Sequence, residues 1–350
     1  MMKKLRVGFI GSGGMADAHL KGLVPPQFED IEIAAFCDVV LERAQAQADK
    51  YKEHGTVAYS SPQQMIADAG LDACYILLPP FAHGDAERAC IEGNVPFLVE
   101  KPIGNDLGLL RELRDEIKKK NLMTAVGYMN RYQPSVQRAK QAFANDEPVL
   151  AYGGWLGGPP TAERLKTSLI GQWWSIKAKS GGQMVEQVSH TIDLVRYFLG
   201  DAVEVFAHTT TAFNKKLPNL IPGYTIDDAM TTSIKFESGA LATILASAAT
   251  PVGGGVSLDI LGTKTAAKFN GWGHDVKIIT RGEGGNTEES FASEGAIFPL
   301  EDRTFLDAVR TGDRTKIRTD YADAYKTVQV ALGANESADT GKPVDLTKTA

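Results

Sequence analysis

The 350-residue chain has few cysteines, no long apolar run and no block of basic residues. Its three cysteines, Cys37, Cys74 and Cys90, are odd in number and unclustered, which excludes a disulfide framework and is typical of buried thiols in a reducing compartment. No apolar stretch is long enough to span a bilayer. Lys and Arg total 37 against 43 Asp and Glu, and this net charge of −6 argues against nucleic-acid and membrane-surface partners. We therefore expect a cytoplasmic protein that binds neither nucleic acid nor membrane.

The first part of the chain alternates strands and helices. Apolar strands are predicted at 6–10, 31–37, 56–59, 72–78, 96–99 and 123–128, and helices at 15–23, 41–52, 82–92 and 106–120. The segment 72–78 is almost continuously apolar, as expected for a parallel strand buried on both faces. Helical connections of this length imply right-handed crossovers. Residues 1–128 are therefore expected to form an α/β domain of Rossmann type, with a doubly wound parallel sheet.

This rhythm changes after residue 130. A helix at 135–144 precedes a Gly/Pro-rich stretch at 153–161, and a second helix is predicted over 181–200. Further strands are predicted at 204–213, 229–236, 240–248, 256–261, 266–269 and 276–280, and helices at 303–311 and 321–338. Hairpin-like connections such as Glu237-Ser238-Gly239 favour antiparallel pairing. Residues 129–350 are thus expected to form an α+β substrate-binding and oligomerisation domain with a large open, mainly antiparallel sheet, whose C-terminal helices have the option of packing back on the first domain.

A glycine-rich turn follows the first strand. Gly11-x-Gly13-x-x-Ala16 matches the dinucleotide fingerprint, in which glycines permit the tight turn and the close approach of a pyrophosphate to a helix N-terminus. A flexible loop is the alternative, but the strand before the turn, the helix after it and Asp38 at the end of the second strand favour the fingerprint. Asp38 is expected to accept hydrogen bonds from ribose hydroxyls and to repel a 2′-phosphate. NAD is therefore expected over NADP, with Arg43 leaving dual use open.

Two proline turns follow predicted parallel strands, at Pro79-Pro80-Phe81-Ala82-His83 and at Glu100-Lys101-Pro102. Ligands bind at the carboxyl ends of strands in doubly wound folds. Lys101 is expected to hydrogen-bond the reacting hydroxyl and to stabilise developing alkoxide charge; a solvated surface lysine is the alternative. His83 is expected to pack in its loop near the cofactor and not to act as a catalyst. The predicted cofactor-binding residues are Gly11, Ser12, Gly13, Gly14, Met15, Asp38, Leu78, Pro79, Pro80, His83, Glu100 and Lys101.

The helix predicted over 181–200 carries two stripes. The apolar stripe comprises Val185, Val188, Ile192, Val195 and Leu199, and the polar stripe comprises Glu186, His190, Asp193 and Tyr197. Glu186 and His190, at i and i+4, can hydrogen-bond, so that the carboxylate orients the imidazole. His190 is therefore a candidate general base, and a solvated helix face is the alternative. A metal site is disfavoured, because a single His with no nearby Cys is a poor zinc ligand set.

At these residues the chain resembles the Gfo/Idh/MocA oxidoreductase family, the relatives of glucose–fructose oxidoreductase and inositol dehydrogenase. The resemblance covers almost the whole chain and rests on the 11–16 turn, Asp38, the 79–83 turn, Glu100-Lys101-Pro102, Ser180-Gly181-Gly182, His190-x-x-Asp193 and Glu336-Ser337-Ala338-x-x-Gly341-Lys342-x-Val344. It implies catalysis with Lys101 and His190, NAD(P) bound by the first domain, and sugar or cyclitol substrates in the second. One position departs from the family: members commonly carry Asp where this chain has Glu186. Either the site has been rebuilt around the longer side chain, or Glu186 only supports His190.

These observations favour an NAD-dependent oxidoreductase that transfers a hydride between the nicotinamide and a hydroxyl or carbonyl of a sugar, sugar derivative or cyclitol. Catalysis is assigned to Lys101, His190 and Glu186. The residues expected to contact substrate are Lys101, Asn130, Arg131, Tyr152, Trp173, Trp174, Glu186 and His190, although paired tryptophans are also typical of core packing. Two alternatives stay open: an NAD-dependent enzyme without net redox, cleaving glycosides or epimerising through transient oxidation, and a non-enzymatic NAD-binding regulator.

A homodimer or homotetramer is also expected, assembled through the second domain. The predicted strand at 240–246 carries small or apolar residues on both faces. One face of its sheet can pack on the helices of the same chain, whereas the other needs a cover. A second subunit is the simplest cover.

Overall fold

A computed structural model of the chain describes residues 3–23, 28–159, 162, 170, 173–252, 254–293 and 297–349. The chain divides into two compact units. The first comprises Met1–Met129 and Ala296–Tyr325, and the second comprises Asn130–Gly295 and Lys326–Ala350. Each unit is therefore completed by a segment from near the C-terminus.

Short strands and helices alternate through the first unit. The strands are β1 (Leu5–Ile10), β2 (Ile31–Cys37), β3 (Val57–Tyr59), β4 (Ala73–Ile76), β5 (Phe97–Val99) and β6 (Thr124–Val126). The helices are α1 (Gly14–Leu23), α2 (Leu41–Ala48), α3 (Pro62–Asp68), α4 (Asp85–Glu92) and α5 (Leu107–Lys120), with 3₁₀ turns at Asp49–His54 and Pro80–Ala82. The strands form one sheet in the order β3-β2-β1-β4-β5-β6, and every neighbouring pair is parallel. The predicted doubly wound parallel sheet is confirmed.

Aromatic side chains from three adjacent strands form the centre of this sheet. Phe9 on β1 is paired in register with Phe36 on β2 and with Tyr75 on β4. The Phe9 ring stacks on the other two, with centroid distances of 5.3 Å to Phe36 and 5.0 Å to Tyr75. All three side chains are fully buried, and each contributes roughly 2 kcal/mol of hydrophobic stabilisation. This core holds β1, β4 and their loops in fixed register.

The rest of the chain contributes nine strands and six helices to the described structure. The strands are β7 (Pro148–Leu156), β8 (Ala202–Thr210), β9 (Ala229–Phe236), β10 (Leu241–Ser247), β11 (Gly255–Gly262), β12 (Thr265–Asn270), β13 (Asp275–Gly282), β14 (Gly285–Phe291) and β15 (Val344–Asp345). The helices are α6 (Pro134–Ala142), α7 (Lys177–Ser180), α8 (Gly182–Glu186), α9 (Ser189–Leu199), α10 (Ile297–Thr311) and α11 (Tyr321–Thr340), with 3₁₀ turns at Met129–Tyr132, Asn214–Lys216 and Leu346–Thr349. Of these, α10 belongs to the first unit and α11 begins there.

The second unit is organised around one nine-stranded sheet. Its strand order is β14-β13-β12-β11-β7-β10-β9-β8-β15. Only the β7–β10 pair is parallel among the described strand pairs of this sheet; the others are antiparallel. The expected open, mainly antiparallel sheet is therefore confirmed.

Strand β7 passes through the glycine-rich stretch for which the sequence predicts no strand. A Cβ at Gly153 would overlap the Ser257 carbonyl of β11, and one at Gly154 would overlap the Leu245 carbonyl of β10. The glycines therefore allow close approach of neighbouring strands and do not mark a loop. The last two residues of the stretch, 160 and 161, lie outside the described residues. Strand β14 was also missed, because its side chains are polar and mostly exposed, leaving no apolar alternation to detect.

The helix predicted over 181–200 is wrong as a single element. The chain forms α7, α8 and α9 in succession, with a break between Glu186 and Ser189. At the break the Val188 N–H donates to the Gln183 carbonyl, five residues back, and the Thr191 N–H donates to the Val188 carbonyl, three residues back. The regular four-residue ladder is thus interrupted. A wheel drawn across this break does not describe one continuous helix.

Helices α8 and α9 cover one face of the large sheet. Val188 and Ile192 pack in one apolar cluster with Ala151 on β7, Ile244 on β10 and Leu258 on β11. Along β7, β10 and β11, the residues on either side of Ala151, Ile244 and Leu258 point to the other face of the sheet, because side chains alternate in a strand. None of the helices in the described part of the chain is both long and apolar enough to cross a membrane.

Candidate active site

The first glycine turn forms an open cradle at the start of α1. Gly11 has a φ of +100°, and a Cβ there would overlap the Leu77 carbonyl, so this position requires glycine. In contrast, a Cβ added at Gly13 or Gly14 meets no atom within 4 Å. Free space therefore lies directly in front of the N-terminal N–H groups of α1. Such a cradle fits a pyrophosphate, and the residues present suit a dinucleotide cofactor.

Asp38 lies beside this cradle. One of its carboxylate oxygens accepts from the Ser12 N–H at 3.1 Å, and the other accepts from the Val40 N–H at 2.9 Å. The Ser12 hydroxyl is buried and has no hydrogen-bond partner among the described residues, so a phosphate oxygen would satisfy it. The sequence predicts that the glycine turn and Asp38 at the end of β2 act together, and in the structure Asp38 contacts this turn directly.

The proline turn after β4 is held from within by His83. Its Nδ1 lies 2.6 Å from Glu87 Oε1, and its Nε2 lies 3.2 Å from the Leu78 carbonyl oxygen. The other Glu87 oxygen accepts from the Gly84 N–H at 2.7 Å. Burial opposes ionisation of Glu87, but His83 and these hydrogen bonds hold the pKa of Glu87 below its usual value. His83 therefore ties Leu78 to the start of α4.

Lys101 follows β5 and Glu100. The buried Glu100 carboxylate accepts from the Lys101 N–H at 2.9 Å through Oε2, and the Lys101–Pro102 peptide bond is cis. Because β1, β4 and β5 are adjacent and parallel, the segments that follow them emerge at one edge of the sheet. The glycine turn, the Leu78–Pro80 segment and Lys101 thus share the carboxyl edge, where doubly wound folds bind ligands.

His190 lies in the second unit, in the first turn of α9. It is buried, and its ring meets the Trp272 indole edge-on, with centroids 6.3 Å apart and an interplanar angle of 90°. The Trp155 ring lies 6.4 Å from the same indole. Trp272 itself is 52% exposed. His190 is therefore bordered by an aromatic surface that is open to a ligand.

A tight turn between β12 and β13 presents Trp272. Burial lowers the pKa of His274 to about 4, although its hydrogen bond to the Trp272 carbonyl opposes this, so the His274 ring is neutral at pH 7. The His274 Nδ1 lies 3.0 Å from that carbonyl oxygen, and the His274 ring packs 6.2 Å from Phe269. Sequence reasoning did not single out Trp272 or Trp155. The available signal was Gly271-Trp272-Gly273, a large aromatic residue in a glycine turn.

Glu186 ends α8 and is hydrogen-bonded to a tryptophan. The Trp174 indole Nε1–H donates to Glu186 Oε2 at 2.9 Å. Trp174 is buried in an apolar cluster with Ile226 and Ala248, and Trp173 is half-buried against the same cluster. Core packing is thus the main role of Trp174. Because the helix breaks after Glu186, the pairing of Glu186 with His190 stays a prediction.

Of the remaining members of the polar stripe, Asp193 is buried and Tyr197 is half-buried. Arg131 donates to both carboxylate oxygens of Asp193, from Nε at 2.8 Å and from Nη2 at 2.7 Å, and both side chains are buried. The Arg131 guanidinium also lies 4.9 Å from the Tyr197 ring centroid, and Thr327 donates to Asp193 at 3.3 Å. Arg131 therefore holds α9 in place, and its contact with substrate, which the sequence predicts, stays a prediction.

Asn130 and Tyr152 have different surroundings. Asn130 is buried, and neither polar atom of its side-chain amide has a partner among the described residues, which leaves it able to bond a water or a ligand. Tyr152 alternates with the buried Ala151 along β7, and its hydroxyl donates to Asp259 at 2.7 Å on the exposed face. Helix α9 covers the opposite face. The structure therefore separates Tyr152 from His190, and we leave Tyr152 out of the proposed site.

Comparisons with known proteins agree with this arrangement. Residues 5–128 match the model of the Gfo/Idh/MocA oxidoreductases with an NAD-binding Rossmann fold, and residues 161–268 match the model of the C-terminal domain of the same proteins. The chain belongs to the Gfo/Idh/MocA oxidoreductase family. It is accordingly an oxidoreductase of the kind that acts on CH–OH groups, with an NAD-binding Rossmann unit.

Several relatives match over nearly their full length. The scyllo-inositol 2-dehydrogenase (NAD(+)) of Bacillus subtilis is 27% identical over 99% of this chain and 97% of its own. The myo-inositol 2-dehydrogenase of Thermotoga maritima is 23% identical over 98% of both chains. Among solved structures, an oxidoreductase from Agrobacterium radiobacter in complex with NAD+, L-tartaric acid and magnesium has a TM-score of 0.80 at 21% identity, covering 99% of this chain and 100% of its own. This last likeness supports the fold alone.

Proposed function

We propose that this Gfo/Idh/MocA protein is an NAD-dependent dehydrogenase of a cyclitol or sugar. The observation that carries the proposal is the gathering of the glycine cradle, Asp38 and Lys101 at the carboxyl edge of one parallel sheet. The names of the inositol dehydrogenases that match along the whole chain support a cyclic polyol as substrate. NAD, when bound, supplies the hydride acceptor.

The chain's own residues supply charge stabilisation, proton transfer and substrate binding. Lys101 donates a hydrogen bond to the reacting oxygen and stabilises negative charge that develops on it. His190 accepts the hydroxyl proton during oxidation and returns it during reduction. Glu186, fixed by Trp174, supports His190. The Asn130 amide, which has no partner in the part of the chain that the structure describes, bonds a substrate hydroxyl.

Trp272 gives this site an apolar wall beside His190. A cyclitol or pyranose ring has a face of C–H bonds as well as a rim of hydroxyls, and that face packs well on an exposed indole. The edge-on contact with His190 would bring a stacked ring close to the proposed proton acceptor. This aromatic surface supports a ring-shaped polyol over a small hydroxy acid.

Asp38 supports preference for NAD, because a carboxylate beside the cradle repels a 2′-phosphate.

We further propose a homo-oligomer formed through the open face of the large sheet. Leu241, Leu150 and Leu261 lie side by side on this face across β10, β7 and β11, and the first two are 49% and 38% exposed. An apolar row of this kind favours burial against a second copy.

The deciding experiment is a panel of inositols and monosaccharides with NAD or NADP, in which reduced cofactor is followed by absorbance and products by chromatography. We expect stoichiometric NADH from at least one cyclitol or sugar. Cleavage of a glycoside, or epimerisation of a sugar, without accumulation of NADH would instead favour the NAD-dependent enzyme without net redox. NAD binding without turnover of any compound would favour the regulator.

A further inference from the structure

A buried histidine connects the Glu-Lys-Pro turn to a helix from the far end of the chain. His19 on α1 has no exposed surface. Its Nδ1 lies 2.7 Å from Asp302 Oδ1 on α10, and its Nε2 lies 3.2 Å from Glu100 Oε1 at the end of β5. All three residues belong to the first unit.

The contacts define the charge of His19. Both ring nitrogens face carboxylate oxygens, which only accept hydrogen bonds when ionised, so both nitrogens carry protons. Burial by itself lowers the pKa of His19, but the charges and hydrogen bonds of Asp302 and Glu100 outweigh it and raise the pKa to about 10. His19 is therefore an imidazolium held between two carboxylates.

The surroundings leave this cluster little freedom. The rings of Tyr75 and Phe298 pack 5.3 Å and 5.1 Å from the His19 ring. On the other side of Glu100, a Cβ at Gly127 would lie only 2.8 Å from the Glu100 carboxyl carbon. The Glu100 carboxylate is thus packed on one side and hydrogen-bonded on the other, in a single orientation.

The fixed orientation of the Glu100 carboxylate also determines its contact with Lys101. Glu100 uses Oε1 for His19 and Oε2 for the Lys101 N–H, so one rigid carboxylate joins the imidazolium to the backbone of the lysine. The chain of contacts runs without a gap from Asp302 through His19 and Glu100 to Lys101. A carboxylate with one oxygen unpaired could rotate, and the lysine backbone would then lose its anchor.

We infer that His19 and Asp302 are positioning residues for Lys101: the buried imidazolium, itself fixed by Asp302, sets the Glu100 carboxylate and through it the direction of the lysine. This role rests on the proposed function, in which Lys101 acts on the reacting oxygen. Asp302 is the most informative residue to substitute, because it contacts His19 and belongs to a helix that carries none of the proposed catalytic or cofactor-binding residues.

The test compares Asp302→Asn with Asp307→Asn, a control on the exposed side of the same helix whose carboxylate forms an ion pair with Arg303. We expect Asp302→Asn to lower kcat at least about tenfold, the scale on which slight misplacement of a catalytic group acts, with NAD affinity changed little. The deuterium isotope effect with carbon-deuterated substrate should rise, since hydride transfer becomes slower than the other steps. Asp307→Asn should change neither quantity.

A double-mutant cycle with Lys101→Ala tests the positioning role separately from the proposed dehydrogenase function. If Lys101→Ala removes most turnover but leaves a measurable residual rate, adding Asp302→Asn should cause no further loss of that rate, because the lysine that it positions is gone. A full additional tenfold loss in that background would overturn the positioning role, as would normal turnover and isotope effect in Asp302→Asn alone. Normal turnover in Lys101→Ala would instead overturn the proposed function. If Asp302→Asn does not fold, His19→Gln, which keeps an N–H donor near Glu100, is measured in the same cycle with the same expected and contrary results.

Discussion

The Trp174 indole N–H and the Glu186 carboxylate are joined by a hydrogen bond of 2.9 Å. The indole is buried, so it fixes the carboxylate at the end of α8 from the side of the apolar cluster. This contact gives a physical reason for glutamate where related dehydrogenases commonly carry aspartate: the longer side chain reaches the indole. That the site is built around the longer side chain of Glu186 stays a prediction, which substitution at this position tests.

Shortening this side chain should therefore impair the enzyme. Glu186→Asp is expected to lower kcat about tenfold, because the carboxylate can no longer meet Trp174 and support His190 together. Trp174→Phe keeps most of the ring but removes the donor, so a smaller loss in the same direction is expected. Steady-state kinetics with both variants check this, and His190→Ala, which removes the proton acceptor itself, should lose more than either. Equal activity of Glu186→Asp and the unmodified protein would show that the site does not depend on the longer side chain.

Cofactor choice should depend on Asp38. Asp38→Ala is expected to weaken NAD binding about tenfold, since it removes a charged acceptor of ribose hydrogen bonds, and to relax the exclusion of NADP. Calorimetric titration of both cofactors measures the two effects. Asp68→Ala, at an exposed position near the end of α3, is the matched control and should bind both as before. Equal use of NAD and NADP by the unmodified protein would contradict this prediction.

Trp272 should influence substrate binding more than chemistry. Trp272→Ala is expected to raise the KM for a ring polyol about fivefold, equivalent to roughly 1 kcal/mol of lost stacking, whereas Trp272→Phe should recover most of it. Substrate should also quench the fluorescence of the unmodified protein more than that of Trp272→Phe. An unchanged KM in Trp272→Ala would remove this indole from the substrate site.

The open face of the large sheet should hold the subunits together. Leu241→Glu puts a charge at the β10 end of the apolar row, beside Leu150, and is expected to shift sedimentation towards the monomer, with an unchanged circular dichroism spectrum. Val252→Glu, at a highly exposed position in the same unit, should leave the assembly intact. Light scattering that finds the unmodified protein monomeric at micromolar concentration would exclude this interface.

The His19 cluster should make stability depend on pH. A histidine whose pKa is about 10 in the folded state and 6.5 in the unfolded chain stabilises the fold fully below pH 6.5, and the contribution disappears as pH rises through 10. Asp302→Asn removes the main charge that raises the pKa of His19, so its free energy of unfolding should fall less than that of the unmodified protein across this range. Urea denaturation at several pH values compares the two slopes. Identical slopes would mean that His19 is not charged in the folded protein.

The sequence allowed most of the first unit to be predicted, because buried parallel strands and their connecting helices leave a strong local pattern. Asp38, Lys101 and the glycine turn were singled out because each stands at or just beyond the end of a strand, and their roles stay predictions. Contacts between distant segments left no such pattern: Asp302 meets His19 from 283 residues away, and Trp272 meets His190 from another turn. The spacing of Glu186 and His190 was interpreted on an unbroken helix, which the structure does not have, so their pairing stays a prediction. Gly153 and Gly154 resemble loop residues until the strands on either side are known.

The discontinuity of the NAD-binding unit has a consequence for the synthesis of the protein. Phe305 and Leu306 on α10 belong to the same apolar cluster as Phe9 and Tyr75, and Asp302 supplies one of the two carboxylates that hold His19. A ribosome that has completed the first 129 residues has not yet made any of these α10 groups. Until α10 has been translated, the nascent first unit therefore lacks part of its core and one of the two carboxylate partners of His19. Folding of the nucleotide-binding half should be completed only after α10 has left the ribosome.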